Sequence, residues 1–396
     1  MLTRPRRPVA TSAGVRVMMI EQGGRGGVAD YTADLVAALA ERGVGVEVAT
    51  ARDHEVDYPA STAVHPVFTY VRRRSWALTV ARRMQLIRAV NGLAYLAGVA
   101  RLLPAARRTR LVHLQSGEFP PLLAVASVLV RLAGARIVLT PHNTFDRGQS
   151  WARSHAVCQR LAARVVVHTS ADIPRLTRAG RERAVVIPHG DYGSLAARAT
   201  PGDRATVRHE LGIPRDATVA LVFGQLRLDK GIEDILAALP LLPELHVIVA
   251  GADAGAGGMV RCAQAEVGSG DRLHLIEGHQ SWDAAAGWFA AADVSLFAYR
   301  IASQSGVLLL SYAFETPVIV YPTGGLPDAV DDGVTGWVTA RPEVPALVDA
   351  LLSAVEIGAD GCAARGRAGA EMARARFGWS TIAEATAGTY REAACH

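Results

Sequence analysis

Lysine occurs once in this chain. Among 42 Lys plus Arg in 396 residues, Lys230 is the only lysine, set in Val219-Ala-Leu-Val-Phe-Gly-Gln-Leu-Arg-Leu-Asp-Lys-Gly231. An ammonium is a compact point charge on a flexible stem, whereas guanidinium is a wide planar fork, so a position that keeps lysine suggests a tight fit. The letters around it read as a β-branched apolar strand, a glycine turn and an amphipathic helix over Ile232 to Leu242. A cation after a strand and beside a helix N-terminus is placed to meet a phosphate. A surface lysine kept by chance would give the same letters, so the neighbouring motifs have to decide. Ser303-Gln-Ser-Gly306 opens a helix over Val307 to Phe314 and offers free backbone N–H groups, hydroxyls and a positive dipole end, which suits a second phosphate. Arg227 stands three residues before Lys230 as a further cation. No paired-carboxylate metal motif accompanies them.

A second set of residues lies in the first half. Gly24-Arg-Gly-Gly-Val-Ala29 satisfies the G-x-G-x-x-G/A dinucleotide fingerprint, and its Gly24, Gly26 and Gly27 would let backbone approach a ligand. The acidic residue that should close the next strand is missing: Glu47 faces the wrong way in the alternation of Val44 to Thr50, and Asp53 lies past Arg52. His142, in Thr140-Pro-His-Asn-Thr-Phe145, directly follows a strand, where a histidine is either an ordinary loop residue or a ligand contact.

The elements that must position these residues alternate along the chain. Strand-like runs at Val15 to Ile20, Val44 to Thr50, Val64 to Val71, Leu111 to Leu114, Arg136 to Thr140, Arg164 to His168 and Ala184 to Ile187 are separated by helical stretches, which implies a parallel doubly wound sheet. Ligands then sit at the carboxyl ends of strands, where Gly23 to Gly27, His142 and His168 fall. Residues 191 to 205 read as a linker. A second alternation follows at Val219 to Phe223, Leu245 to Ala250, Arg272 to Ile276, Val294 to Phe297 and Val318 to Val320. The expected layout is a tail over 1–14, a Rossmann-like domain over 15–195, a second over 203–372 and a C-terminal segment over 373–396. The fold class is α/β, with two facing doubly wound domains and an interdomain cleft between them.

Composition narrows the partners. The chain is 50% hydrophobic and carries a net charge of +5, enough to bury two cores. Cys158, Cys262, Cys362 and Cys395 lack paired spacing, which fits reduced thiols in a cytoplasm and gives no zinc or disulfide frame. The Arg- and Pro-rich start has no apolar core of a signal peptide, and no run of about 18 consecutive apolar residues occurs, so a cytoplasmic protein that does not cross a membrane is expected. From Tyr58 to Gly117 there are ten arginines and no Asp or Glu. Within that field, Arg72, Arg73 and Arg74 begin a stretch to Arg88 interleaved with Trp76, Leu78, Val80, Met84 and Ile87. That is the composition of a helix on an anionic membrane surface, and equally of a solvated Arg-rich helix. No recognition motif points to nucleic acid.

The motifs in order resemble a known family. Phe223-Gly-Gln-Leu-Arg-Leu-Asp-Lys-Gly231, Val249-Ala-Gly251, Ser305-Gly306, Pro317-Val318 and Thr323-Gly-Gly-Leu-Pro327 through Asp332-Gly-Val-Thr-Gly-Trp337 are similar to the C-terminal domain of family-4-like retaining glycosyltransferases of the GT-B fold. The N-terminal glycine loop, Pro141-His142-Asn143 and Pro188-His-Gly190 resemble that family's acceptor-side domain. The resemblance covers residues 15 to about 385. It implies a nucleotide-diphosphate-sugar donor of UDP or GDP type held mainly by the second domain, an acceptor held by the first, and metal-independent transfer with retained configuration. A last helix over Phe377 to Ala394 would cross back to the first domain. Catalysis would fall to Lys230, Arg227 and His142. Donor binding would involve Gly24, Gly26, Gly27, Gly224, Gln225, Gln304, Ser305, Gly306 and Val307, and acceptor binding Arg72, Arg73, Arg74 and Asn143. The arginine that the family places after the turn glycine is Gln225 here, and its pair of glutamates around the donor loop is absent from Ala302 to Tyr312. Two other readings stay open at this point: a non-catalytic relative that binds a nucleotide sugar, and an NAD-dependent oxidoreductase.

Overall fold

The computed structural model describes residues 15–70, 81–115, 120–142, 151–197, 199–200, 202–266 and 270–395. The chain forms two compact units: one runs up to Gly190 and resumes at Trp379, and the other spans Asp191–Gly378.

The first unit holds strands β1 (Arg16–Ile20), β2 (Gly45–Ala51), β3 (Ala63–Phe68), β4 (Leu111–Gln115), β5 (Arg136–Thr140), β6 (Arg164–Val167) and β7 (Ala184–Val186). Helices α1 (Gly27–Glu41), α2 (Ala81–Thr109), α3 (Pro120–Leu132), α4 (Ala152–Leu161) and the one-turn α5 (Arg178–Arg181) lie between them. The sheet is parallel in the order β3-β2-β1-β4-β5-β6-β7. Its strands are apolar on both faces because both are covered, as parallel sheets require. Met18 and Ile20 pack with Val99, Leu102, Leu123 and Val130 of α2 and α3. The alternate residues Val17 and Met19 pack with Leu35 and Leu39 of α1 on the other face.

The second unit opens with α6 (Gly193–Ala196) and α7 (Arg204–Glu210) and continues β8 (Thr218–Phe223), α8 (Ile232–Ala238), β9 (Leu245–Gly251), α9 (Gly257–Ala265) and β10 (Leu273–Glu277). It ends with α10 (Trp282–Ala291), β11 (Val294–Phe297), α11 (Gly306–Ala313), β12 (Val318–Val320), β13 (Gly336–Val338) and α12 (Val344–Phe377). Its parallel order is β10-β9-β8-β11-β12-β13. In each sheet the strand order reverses beside the first strand, between β1 and β4 and between β8 and β11. That is the switch point where open α/β sheets bind ligands.

Several boundaries differ from the sequence reading. β3 stops at Phe68. The stretch read as a linker carries α6 and the start of α7, which Asp203 caps through the Ala205 and Thr206 N–H groups. β13 was not expected; three residues are too few to show a period. Gly358, at φ 65°, breaks α12, and the final helix α13 (Trp379–Cys395) packs Ile382, Ala387 and Tyr390 into the core of the first unit. Ile87–Thr109 has the length and mean hydropathy, 1.3, of a membrane span. Tyr95, Val99, Leu102 and Ala106 on one side of it join the core of the first unit.

Candidate active site

In the second unit, β8 delivers the chain to its carboxyl edge at Phe223, and Gly224 turns it there. Leu226 is fully buried, and its N–H donates to Ala252 O at 2.8 Å, which pins the loop to the end of β9. A single 3-10 turn, Leu228–Lys230, then leads into α8 through Gly231. Gly231 has φ +64°, and a Cβ there would lie 1.9 Å from Ala298 O, so no other residue lets this loop close on the one after β11.

Lys230 is folded inward and only 6% exposed. Its Nζ donates to Phe223 O at 3.0 Å and lies 5.5 Å from the centre of the Tyr299 ring. A Cβ at Gly224 would be 3.2 Å from Nζ and 3.5 Å from Val307 Cγ2, so the ammonium, the turn glycine and the first turn of α11 share one place. Among the described residues no carboxylate pairs with Nζ. An ammonium has three protons to donate, and burial without an opposite charge costs several kcal/mol, on the order of the effective penalty for one ion.

Arg227 behaves differently. Its guanidinium forks onto Asp229 at 2.8 and 2.7 Å, and that carboxylate raises its already high pKa further. Arg300, in the loop after β11, is tied to Asp234 at 2.6 Å, and Asp234 also accepts from the Tyr321 hydroxyl at 2.8 Å. Gln225 is exposed, and Gln304, Ser305, Gly306 and Val307 are half-buried at the start of α11. Ser305 is the N-cap residue but makes no side-chain cap bond. The loop after β12 joins here, since Gly325 N–H donates to Ser303 O at 2.8 Å. Lys230, Gly224 and Val307 are therefore brought together, Gln304 to Gly306 lie beside them in sequence, and Arg227 is held by its own neighbour.

At the carboxyl edge of the first unit the glycine loop is built around Glu21, 3% exposed. Its carboxylate accepts from Gly23 N–H at 2.7 Å, Gly24 N–H at 2.8 Å and the Thr50 hydroxyl at 3.2 Å. Gly24 has φ +68°, and a Cβ there would come within 2.9 Å of His54 Cα. Gly26 precedes α1 and Gly27 begins it. His142 follows β5 and bonds Gln115 through Nε2 at 2.7 Å and His168 through Nδ1 at 3.3 Å. Tyr31 lies edge-on to His142 and His168, with ring centres 4.9 and 5.3 Å away. Burial drives the histidine rings toward the neutral form: His113 and His189 fall to about 3 and His168 to about 4. Glu47, the misplaced acid of the dinucleotide reading, is engaged by His65 and Arg108, which hold its carboxyl below the usual range. Arg72, Arg73, Arg74 and Asn143 lie outside the described residues.

Sequence reasoning missed Glu21 as the organiser of the glycine loop and Asp229 as the partner of Arg227. The second was visible as Arg-Leu-Asp, two residues apart. The first had no local signal beyond an acid at the end of a strand.

Two family models match the chain: Glycosyl transferase 4-like domain over residues 26–190 and Glycosyl transferases group 1 over residues 203–371. The D-inositol 3-phosphate glycosyltransferase of Mycolicibacterium paratuberculosis is 35% identical over 198 residues, 49% of this chain and 44% of that protein. The enzyme of that name in Mycobacterium leprae is 31% identical over 237 residues, 59% of this chain and 55% of the other. The chain thus spans about half the length of these curated relatives. Two solved structures share the fold. HepE of Anabaena, in complex with UDP-glucose, superposes with a TM-score of 0.70 at 20% identity, over 94% of this chain and 98% of that one. Sucrose-phosphate synthase of Thermosynechococcus elongatus gives 0.71 at 20%, over 95% and 98%. With each half matched by its own family model and the fold shared along nearly the whole length, the chain belongs to the family-4-like, group 1 glycosyltransferases of the GT-B fold.

Proposed function

We propose that this protein transfers a sugar, with retained anomeric configuration and without a metal ion, from a nucleoside-diphosphate donor to an anionic or lipid-linked acceptor. The observation that carries the reading is Lys230: a buried ammonium with one carbonyl, one ring face and, among the described residues, no carboxylate paired with it, beside the N-terminus of α11. Breaking the bond between the anomeric carbon and the β-phosphate oxygen leaves a nucleoside diphosphate with added negative charge. A fixed cation and a helix N-terminus stabilise that charge more in the transition state than in the bound donor, which is what accelerates a reaction. Arg227 contributes when the diphosphate displaces Asp229 from its fork. His142 is the residue proposed to touch the transferred sugar. The UDP-glucose bound to the Anabaena relative makes uridine donors the first to try.

The acceptor is proposed from charge. The mycobacterial relatives are named for a phosphorylated cyclitol, and α2 exposes Arg88, Arg101, Arg107 and Arg108 with Val90 and Leu93 and carries no acidic residue. Such a face suits an anionic molecule or bilayer.

The test is incubation with a panel of UDP- and GDP-sugars, with and without EDTA, watching slow donor hydrolysis and the configuration of the released sugar. One donor should be consumed, with EDTA making no difference and configuration retained. Inversion, or no consumption of any donor with any acceptor, would contradict the proposal. Sedimentation with anionic vesicles, compared with an Arg72/Arg73/Arg74→Ala variant, tests the acceptor surface; no binding by either protein would remove it.

A further inference from the structure

Three loops meet at the carboxyl edge of the second sheet, those after β8, β11 and β12, and one carboxylate ties them together. Asp234 stands in the first turn of α8, directly after the β8 loop, and is 5% exposed. Its Oδ1 accepts from the Arg300 guanidinium, in the loop after β11, at 2.6 Å. Its Oδ2 accepts from the hydroxyl of Tyr321, where the chain leaves β12, at 2.8 Å. Tyr321 is fully buried and its N–H donates to Phe297 O at 3.0 Å, so this hydroxyl is a fixed point.

The consequence falls on Lys230. The residue before Arg300 is Tyr299, whose ring centre lies 5.5 Å from Lys230 Nζ, and the residues after it run on to Gln304, Ser305 and the start of α11. Backbone bonds flank the ion pair: Arg300 N–H donates to Asp229 O at 2.9 Å, and Gly325 N–H to Ser303 O at 2.8 Å. The tip between them is open to water, with Ile301 54% exposed, so those bonds alone would let the loop fray. The ion pair holds more firmly, because a buried carboxylate that loses its cation is left uncompensated. Glu233 Oε1 also lies 3.7 Å from Arg300 Nε. Arg300 is therefore balanced by carboxylates, whereas Lys230 Nζ pairs with none among the described residues. An anion reaching this edge meets Lys230 as its cation and Arg300 as a strut.

We propose that Asp234 is a positioning residue for the donor: by holding Arg300 and Tyr321 at once, it keeps Tyr299 and the start of α11 in register with Lys230, so that the ammonium and the helix N-terminus face one diphosphate together. The link to the donor rests on the function proposed above; the clamp across three loops does not.

The test is a double-mutant cycle on the full-length protein, read by calorimetric titration of UDP and of GDP. Asp234→Asn and Arg300→Met each break the ion pair. A freed loop that spends about a tenth of its time in the clamped position binds the nucleotide about tenfold more weakly. Either substitution frees the same loop, so the double variant should lose no more than a single one. Arg300→Lys, which keeps a cation against Asp234, should recover most of the affinity. Losses that multiply to about a hundredfold in the double variant overturn the proposal, and so does wild-type affinity in the folded single variants, which would make the tie a matter of stability alone. Tighter binding by Asp234→Asn overturns it too, since the freed Arg300 would then be reaching the phosphate itself. Should Asp234→Asn not fold, Tyr321→Phe takes its place in the cycle: its cost should vanish in an Arg300→Met background, and a cost that persists overturns the proposal. Amide exchange needs no nucleotide, and the Arg300 and Gly325 N–H groups should exchange faster in Asp234→Asn than in the wild type. Should the wild type bind neither nucleotide, the transfer reading falls and exchange decides the clamp: faster exchange upholds it, unchanged exchange overturns it.

Discussion

At the edge of the first sheet the polar groups answer one another: Glu21 takes two loop N–H groups and a hydroxyl, and His168, His142 and Gln115 form a closed row. At the edge of the second sheet Lys230 is as deeply placed, yet Nζ meets one carbonyl oxygen and a ring. Two doubly wound sheets thus finish their switch points in opposite ways, one with its carboxylate and rings satisfied within the loops, the other carrying an ammonium that no carboxylate among the described residues pairs with. A closed network holds a shape, whereas an unbalanced buried cation draws an anion.

The strongest way to break this contrast is Lys230→Met, which keeps the volume and removes the charge. Turnover should fall roughly 10²- to 10³-fold, the usual cost of one transition-state donor. The melting temperature should hold or rise, because a buried unpaired ion is exchanged for an apolar chain. A large drop in stability would mean that the ammonium is part of the scaffold. Gly231→Ala should do the reverse, since its Cβ would meet Ala298 O and its φ of +64° disfavours any side chain. A loss of about 2 kcal/mol or more in denaturant unfolding is expected. Glu21→Ala removes the carboxylate that accepts from the Gly23 and Gly24 N–H groups. It should cost about 1–3 kcal/mol and speed amide exchange at those two residues, while Lys230→Met leaves that exchange unchanged.

Acid separates the units next. His113, His168 and His189 have folded pKa values of about 3, 4 and 3, below the ordinary 6.5. Between pH 6.5 and about 4 the unfolded chain therefore binds protons that the folded chain does not, and stability rises with pH across that window. The full contribution is present above pH 6.5 and is lost as pH falls toward 4, so amides of the first sheet, which holds His113, His142, His168 and His189 against His246 and His274 in the second, should lose exchange protection at pH 5 sooner than those around Lys230. The smallest effect is expected from Asp229→Asn, which frees the Arg227 fork. A partly exposed pair is worth a few tenths of a kcal/mol to about 1, so binding of UDP or GDP, whichever the donor carries, should tighten a few-fold in a calorimetric titration.

Most of the fold could be read from the letters because central parallel strands such as Val219 to Phe223 and Val247 to Ala250 are continuous apolar runs that end at Gly224 and Gly251. Lys230 stood out by being the sole lysine, and Gly231 by following it. What stayed hidden depends on distance across the sheet. That Glu21 organises Gly23 and Gly24 follows from the backward curl of the loop, and the His142–His168 pair follows from the register of β5 on β6, which no local pattern encodes. β13 has three residues and only pairs because β12 is already in place. Arg227 is expected from the sequence as a second cation beside Lys230; the carboxylate two residues on changes its surroundings.

Calorimetric titration of UDP and of GDP into the wild-type protein and into Lys230→Met tests the role of the buried ammonium without requiring the acceptor. The account predicts that the wild type binds one of the two nucleotides and that the substitution weakens this binding by about a hundredfold or more, as expected for a buried charge pair losing one partner. Equal affinity in the two proteins would contradict it.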